Sequence, residues 1–130
     1  MGLQTQLPGL FILEDEKGRG VYTTKKIPKD STIELCPVIL LSRKDTELIH
    51  KTSLHDFYFI WELAEQNAAI ALGYGSLYNH SDQPNADFEI NLDTNEIKFI
   101  ATEEISAGEE ILINYISSAV KGVALWFDPK

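Results

Sequence analysis

The sequence predicts a single β-rich domain with little helix, on three observations. The chain has 130 residues, 44% hydrophobic and 24% charged, enough for one globular domain with its own core. Phe88, Ile90 and Leu92 alternate with Asp87, Glu89 and Asn91, and the alternation resumes at Ile97 and Phe99, which is the period of a strand with one buried face. The other apolar runs are short and are cut by turn residues, as strands are.

Taken in order, Leu10-Phe11-Ile12-Leu13 reads as a first strand, and Glu14 to Gly20 as a charged turn closing on Gly18-Arg19-Gly20. Val21-Tyr22-Thr23-Thr24 is β-branched and aromatic, a second strand. Pro28-Lys29-Asp30-Ser31 is a turn, and Thr32 to Leu41 is an extended apolar segment in which Pro37 demands an edge or a bulge. Asp45 to Lys51 suits a short helix capped by Ser42. Phe57 to Trp61 fits a buried strand, whereas Trp61 to Gln66 fits a helical turn equally well. Ala86 to Ala101 is a hairpin with the polar turn Asp93-Thr94-Asn95, and Ile111 to Ile116 is a last strand.

A weak internal echo links Thr24-Lys-Lys-Ile27-Pro-Lys-Asp30-Ser-Thr-Ile33 to Thr102-Glu-Glu-Ile105-Ser-Ala-Gly108-Glu-Glu-Ile111, 78 residues apart. Two copies do not make a repeat array. They imply two similar strand–turn–strand corners, each anchored on an isoleucine.

Gly73 to Asn85, GYGSLYNHSDQPN, stands apart from its surroundings. Its Asn, Asp and Ser side chains bond nearby backbone, and its proline fixes φ, so it is a loop of defined shape between apolar segments. Such loops carry function more often than linkers do.

Acidic residues outnumber basic ones 20 to 11, giving a net charge of −9. That disfavours nucleic-acid binding by phosphate neutralisation and favours a basic partner such as a lysine-rich peptide. The single cysteine, Cys36, suits a reducing compartment and precludes an internal disulfide or a cysteine-rich zinc site. No apolar stretch reaches the roughly 18 residues of a membrane span, and the start has no signal-peptide pattern. The expected location is intracellular and cytoplasmic, a reading that leaves the nucleus open.

Three motifs occur in a fixed order: Lys17-Gly18-Arg19-Gly20-Val21-Tyr22, then Tyr78-Asn79-His80-Ser81 with Pro84-Asn85, then Ala107-Gly108-Glu109-Glu110-Ile111-Leu112-Ile113-Asn114-Tyr115. In this the chain resembles the SET domain family of protein lysine methyltransferases, over roughly Leu10 to Tyr115. The resemblance implies a β-clip-like fold of small sheets with a C-terminal pseudoknot. The chain is then expected to form one domain over residues 1–130, with a core of about 10–116 and a tail, 117–130, that completes the site or an interface.

The activity implied is methyl transfer from S-adenosylmethionine to a protein lysine ε-amine, with no metal. Tyr115 matches the catalytic tyrosine; taken alone it would read as a core tyrosine at a strand end. Lys17, Gly18, Arg19, Gly20, Asn79, His80, Tyr115 and Trp126 match or neighbour cofactor-binding positions, His80 through its backbone rather than as a general base. Tyr58, Tyr74 and Phe88 are candidates for the lysine channel, and Phe88 fits a core position on the hairpin as well.

The chain departs from the family pattern where Ser76-Leu77-Tyr78 replaces Arg-Phe-Ile, and where Glu34-Leu35-Cys36-Pro37 replaces Glu-Tyr-x-Gly, removing a common active-site tyrosine. Lacking a cysteine cluster, it resembles the minimal zinc-free bacterial and viral type, with a homodimer among the assemblies this type allows. A peptide-binding module without turnover, or a methyltransferase acting on a small amine, are the alternatives.

Overall fold

The computed structural model describes residues 5–16 and 18–115. The chain runs β1 (Leu10–Asp15), β2 (Gly18–Thr23), β3 (Thr32–Leu41), α1 (Arg43–His50), β4 (Tyr58–Ile60), β5 (Ala68–Ala71), β6 (Asn79–His80), β7 (Ala86–Asn91), β8 (Glu96–Ala101) and β9 (Leu112–Ile113). Single 3₁₀ turns occupy Leu63–Glu65 and Gly75–Leu77. Among the described residues three sheets result: β1-β2, the five-stranded β4-β5-β3-β8-β7, and the two-stranded β6-β9. Among the described residues no helix is long and apolar enough to cross a membrane.

Local chemistry explains most elements. Ser42 caps α1 by accepting from the Asp45 amide at 3.1 Å. The helical-turn and strand readings of the Phe57–Gln66 region are both realised in succession. β4 ends at Ile60, and the 3₁₀ turn stops at Gln66, whose φ of 54° is left-handed.

The hairpin turn starts one residue earlier than its hydrophobic pattern suggests. Asn91 Oδ1 accepts from the Asp93 and Thr94 amides at 2.9 and 3.2 Å, so the chain turns there and Leu92 is left exposed. The charged turn expected over Glu14–Gly20 is also shorter. Gly18 and Arg19 lie in β2, paired with Asp15 and Glu14, because the backbone ladder continues through them.

Pro37 sits inside β3 at the point where that strand exchanges neighbours. Thr32 to Pro37 pair with β8, and Val38 to Leu41 pair with β5, so neither ladder runs through the proline on both sides. A register shift between Thr32 and Glu34 bulges the same strand near its start, away from the proline. Of the last strand expected over 111–116, Leu112 and Ile113 form β9, the Ile111 amide donates to Val21 O of β2, and Ile116 lies outside the described residues.

The two echoing corners pack directly on each other. Ile27 and Ile105 exchange both backbone hydrogen bonds, at 2.8 and 2.9 Å, and both side chains are buried. Around them four further backbone bonds come in two counterpart pairs. The Asp30 amide donates to Ala101 O at 2.8 Å, and the Gly108 amide to Thr23 O at 2.7 Å. The Ala101 amide donates to Ser31 O, and the Thr23 amide to Glu109 O. Asp30 and Gly108 both have positive φ, 71° and 89°. The corners are therefore related by an approximate two-fold axis through the Ile27–Ile105 bridge. Val21, Ile33, Ile97, Phe99, Ile111 and Ile113 close the core around it, each fully or almost fully buried, and burial of a side chain of this size stabilises by about 1.5–3 kcal/mol.

Candidate active site

The loop from Gly73 to Asn85 is held on all sides. Gly75 to Leu77 make a 3₁₀ turn that the Ser76 hydroxyl ties back by accepting from the Ala71 amide at 3.0 Å. Asn79 and His80 then form β6, parallel to Leu112 and Ile113 of β9, with the Ser81 amide donating to Ile113 O at 2.8 Å. This is where the central loop meets the C-terminal segment, the meeting that the expected knot requires.

Asn85, nearly buried, clamps that meeting. Its Oδ1 accepts from the Leu112 amide at 2.8 Å, its Nδ2 donates to Glu110 O at 2.9 Å, and its own amide donates to Leu112 O at 3.1 Å. A buried amide side chain satisfied in this way orders both segments at once.

Asn79 projects back toward β2. Its Nδ2 donates to Arg19 O at 2.8 Å and to Glu110 Oε2 at 2.7 Å. Two acceptors at the nitrogen fix the amide's orientation and leave the carbonyl oxygen for a ligand. Gly20 lies behind this pair. A Cβ there would strike the Glu110 carboxylate and come within 3.1 Å of Asn79 Nδ2, so the glycine makes room for the bond. Gly18, at φ 116°, has open space where a side chain would stand.

His80 is engaged by its ring. Its Nδ1 accepts from the Tyr115 amide at 3.0 Å, which places any proton of the neutral imidazole on Nε2, 3.4 Å from Asp82 Oδ1. The His80 and Tyr115 rings lie 5.0 Å apart. The Tyr115 hydroxyl donates to Tyr78 O at 3.0 Å. Burial, then the nearby Asp56 carboxylate, raises the Tyr115 pKa, so the hydroxyl stays protonated at neutral pH.

These groups line a cavity of about 520 Å³ with Glu14, Gly18, Arg19, Asp56, Phe57, Ser76, Leu77, Asn79, His80 and Tyr115 on its walls. The size is that of a small-molecule site. Arg19 reaches over Phe57, with its guanidinium carbon 5.9 Å from the ring centroid.

Gly18, Arg19, Asn79, His80 and Tyr115 thus meet on one surface, and Gly20 supports it from behind. Lys17 and Trp126 lie outside the described residues. Tyr58, Tyr74 and Phe88 lie elsewhere. The Tyr58 hydroxyl pairs with His50 Nδ1 at 2.9 Å, and burial, then Asp56, pushes its pKa up to about 12. Phe88 stacks edge-on against Phe59 at 5.0 Å in the core. Tyr74 packs at the core margin with its amide donating to Glu34 Oε2. Sequence reasoning missed Glu14, Asp56, Phe57 and the clamp role of Asn85. Ser76 and Leu77 could have been found from their place in the same shaped loop.

Residues 18–116 match the SET domain family. Among known proteins the chain is similar to a histone-lysine N-methyltransferase, H3 lysine-37 specific, of Schizosaccharomyces pombe. The identity is 33% over 115 residues, spanning 88% of this chain and 73% of the relative. Among solved structures it is similar to a Plasmodium falciparum protein described as a histone methyltransferase, with TM-score 0.67, 29% identity, 96% of this chain and 100% of the other covered. It is also similar to CpSET8 from Cryptosporidium, with TM-score 0.67, 26% identity, and 82% and 56% of the two chains covered. The ordered motifs, the β6–β9 meeting and these matches together establish that the chain belongs to the SET domain family of protein lysine methyltransferases.

Proposed function

We propose that this protein transfers a methyl group from S-adenosylmethionine to a lysine ε-amine of a basic, histone-type protein. The observation that carries this reading is the convergence of Gly18, Arg19, Asn79 and Tyr115 on one cavity, with Asn79 and Tyr115 held in place by hydrogen bonds to Arg19 O and Tyr78 O.

The residues present fit the cofactor. Open space at Gly18 admits a ligand close to the backbone. Arg19 suits the carboxylate of an amino-acid ligand, and Glu14 and Asp56 suit its cationic groups. When bound, S-adenosylmethionine supplies a methyl group activated by its sulfonium.

The chain's own residues then have separable tasks. Tyr115, neutral and anchored on Tyr78 O, orients an incoming amine by its hydroxyl. Phe57 and Leu77 are the apolar members of a lining that also carries Glu14 and Asp56, so desolvation against these two side chains, opposed by the carboxylates, is what disfavours the ammonium form of a lysine whose ordinary pKa is about 10.4. His80 holds the Tyr115 backbone by its ring nitrogen, which leaves it unsuited to act as a general base. The net charge of −9 draws in a lysine-rich partner, and the name of the yeast relative points to a histone and hence to a nuclear site of action.

The test is incubation with methyl-labelled cofactor and purified core histones, followed by mass spectrometry of the peptides. Label on lysine ε-amines, absent when those lysines are acetylated beforehand, is expected. Labelling only of small amines, or none, would refute the reading.

A further inference from the structure

The loop that bears Asn79 and His80 rests on a buried acid. Glu34, in β3, is 3% exposed, and both of its oxygens are acceptors. Oε1 accepts from the Tyr78 hydroxyl at 2.7 Å. Oε2 accepts from the Tyr74 amide at 3.0 Å and from Gln6 Nε2 at 2.9 Å. Gly73 has φ +66°, and a Cβ there would collide with Glu34 Oε2, so the loop is shaped to close over this side chain. Tyr78 is 1% exposed, its ring 4.7 Å from that of Phe99.

Tyr78 faces two ways. Its side chain donates to Glu34, and its carbonyl accepts from the Tyr115 hydroxyl at 3.0 Å. The reactive hydroxyl is therefore joined to a buried acid through one residue, by two hydrogen bonds and one backbone segment. Burying an acid is a poor route to stability, because an apolar replacement of the same volume is often neutral or better. A fully satisfied buried network does, however, fix a unique geometry.

We propose that Glu34 is a positioning residue, which acts through the Tyr78 hydroxyl to fix the Tyr78 carbonyl and so the Tyr115 hydroxyl. This inference rests on the assignment of Tyr115 to the transfer step. It assigns work to a position where the chain departs from its family's pattern, since the Tyr78 side chain supplies the link. Burial, then Glu34, raises the pKa of the Tyr78 hydroxyl and keeps it a donor.

The test compares Tyr78→Phe, Glu34→Gln and Glu34→Ala with Ile97→Val, a core change away from the cavity. Tyr78→Phe removes one hydroxyl. It is expected to lower kcat about tenfold with little change in KM for the cofactor. Glu34→Gln keeps an oxygen for Tyr78 and should retain more turnover than Glu34→Ala. In cofactor-free protein labelled with ¹³C at tyrosine Cζ, the Tyr115 resonance should shift in Tyr78→Phe and stay in place in Ile97→Val. Turnover of Tyr78→Phe within about twofold of wild type, with an unmoved Tyr115 resonance, would overturn the inference. A wild type without turnover would instead refute the function proposed above, while the resonance would still decide whether Tyr78 and Tyr115 are linked.

Discussion

Residues 24–33 and residues 102–111 follow the same path and hold each other by reciprocal bonds, yet only the second corner reaches the cavity's supports. Thr32 of the first copy is exposed. Its counterpart, Glu110, accepts from Asn79 with its side chain and from Asn85 with its backbone. Two residues further on, Glu34 of the first copy is buried under the central loop, where the second copy has Leu112 in β9. The corner itself needs only a buried isoleucine and a left-handed residue. Side chains at and beyond the turn are free to differ: the second corner carries Glu110 to Asn79 and Asn85, whereas the acid just past the first corner, Glu34, lies under the loop that bears Asn79.

The largest effect should fall equally on both copies. Ile27→Ala and Ile105→Ala are each expected to cost about 3 kcal/mol of stability, because each leaves a cavity at the shared bridge. Chemical denaturation of the two variants checks this, and a large loss in one alone would break the two-fold account.

Function should then separate from fold. Tyr115→Phe is expected to lower kcat about a hundredfold, with cofactor affinity and Tm nearly unchanged, since only the hydroxyl bonded to Tyr78 O is lost. Steady-state kinetics beside a thermal scan read both.

A smaller effect separates the copies most sharply. Glu110→Ala should weaken cofactor binding about tenfold, because Asn79 loses an acceptor and its orientation. Thr32→Ala at the matching position should change stability by less than about 0.5 kcal/mol and leave binding unaltered.

The smallest effects concern the turn residues. Gly108→Ala should cost about 1 kcal/mol, because a Cβ is strained at φ 89°. Asp30→Gly at the equivalent turn should change stability by less than about 0.5 kcal/mol, since glycine adopts that conformation freely. Denaturation midpoints distinguish the two.

What was legible in the sequence was what local chemistry decides. The hairpin, the Ser42 cap and the two echoing corners follow from alternation, capping and turn residues within a few positions of each other. The Asn-His-Ser loop was legible because its polar, turn-forming residues are unusual for strands, whereas Tyr115, a residue type that strands favour, stood out only through its place in the ordered motifs. Other features depend on contacts between distant segments. Pro37 called for an edge or a bulge, and only the pairing of β3 with both β5 and β8 explains how an interior strand tolerates it. Asp56, Phe57 and Glu14 reach the cavity from segments whose sequence carries no motif. Phe88 shows the limit of periodicity. Alternation predicted that it is buried, but not that it would be buried against Phe59 rather than facing the cavity.

The central claim is that Asn79, Arg19 and Tyr115 line a site for S-adenosylmethionine. Calorimetric titration of the cofactor into wild type and Asn79→Ala tests it most directly. Saturable one-to-one binding to wild type, weakened about tenfold or more in Asn79→Ala, is the result the geometry requires. No heat of binding to wild type at a cofactor concentration on the order of millimolar would contradict it.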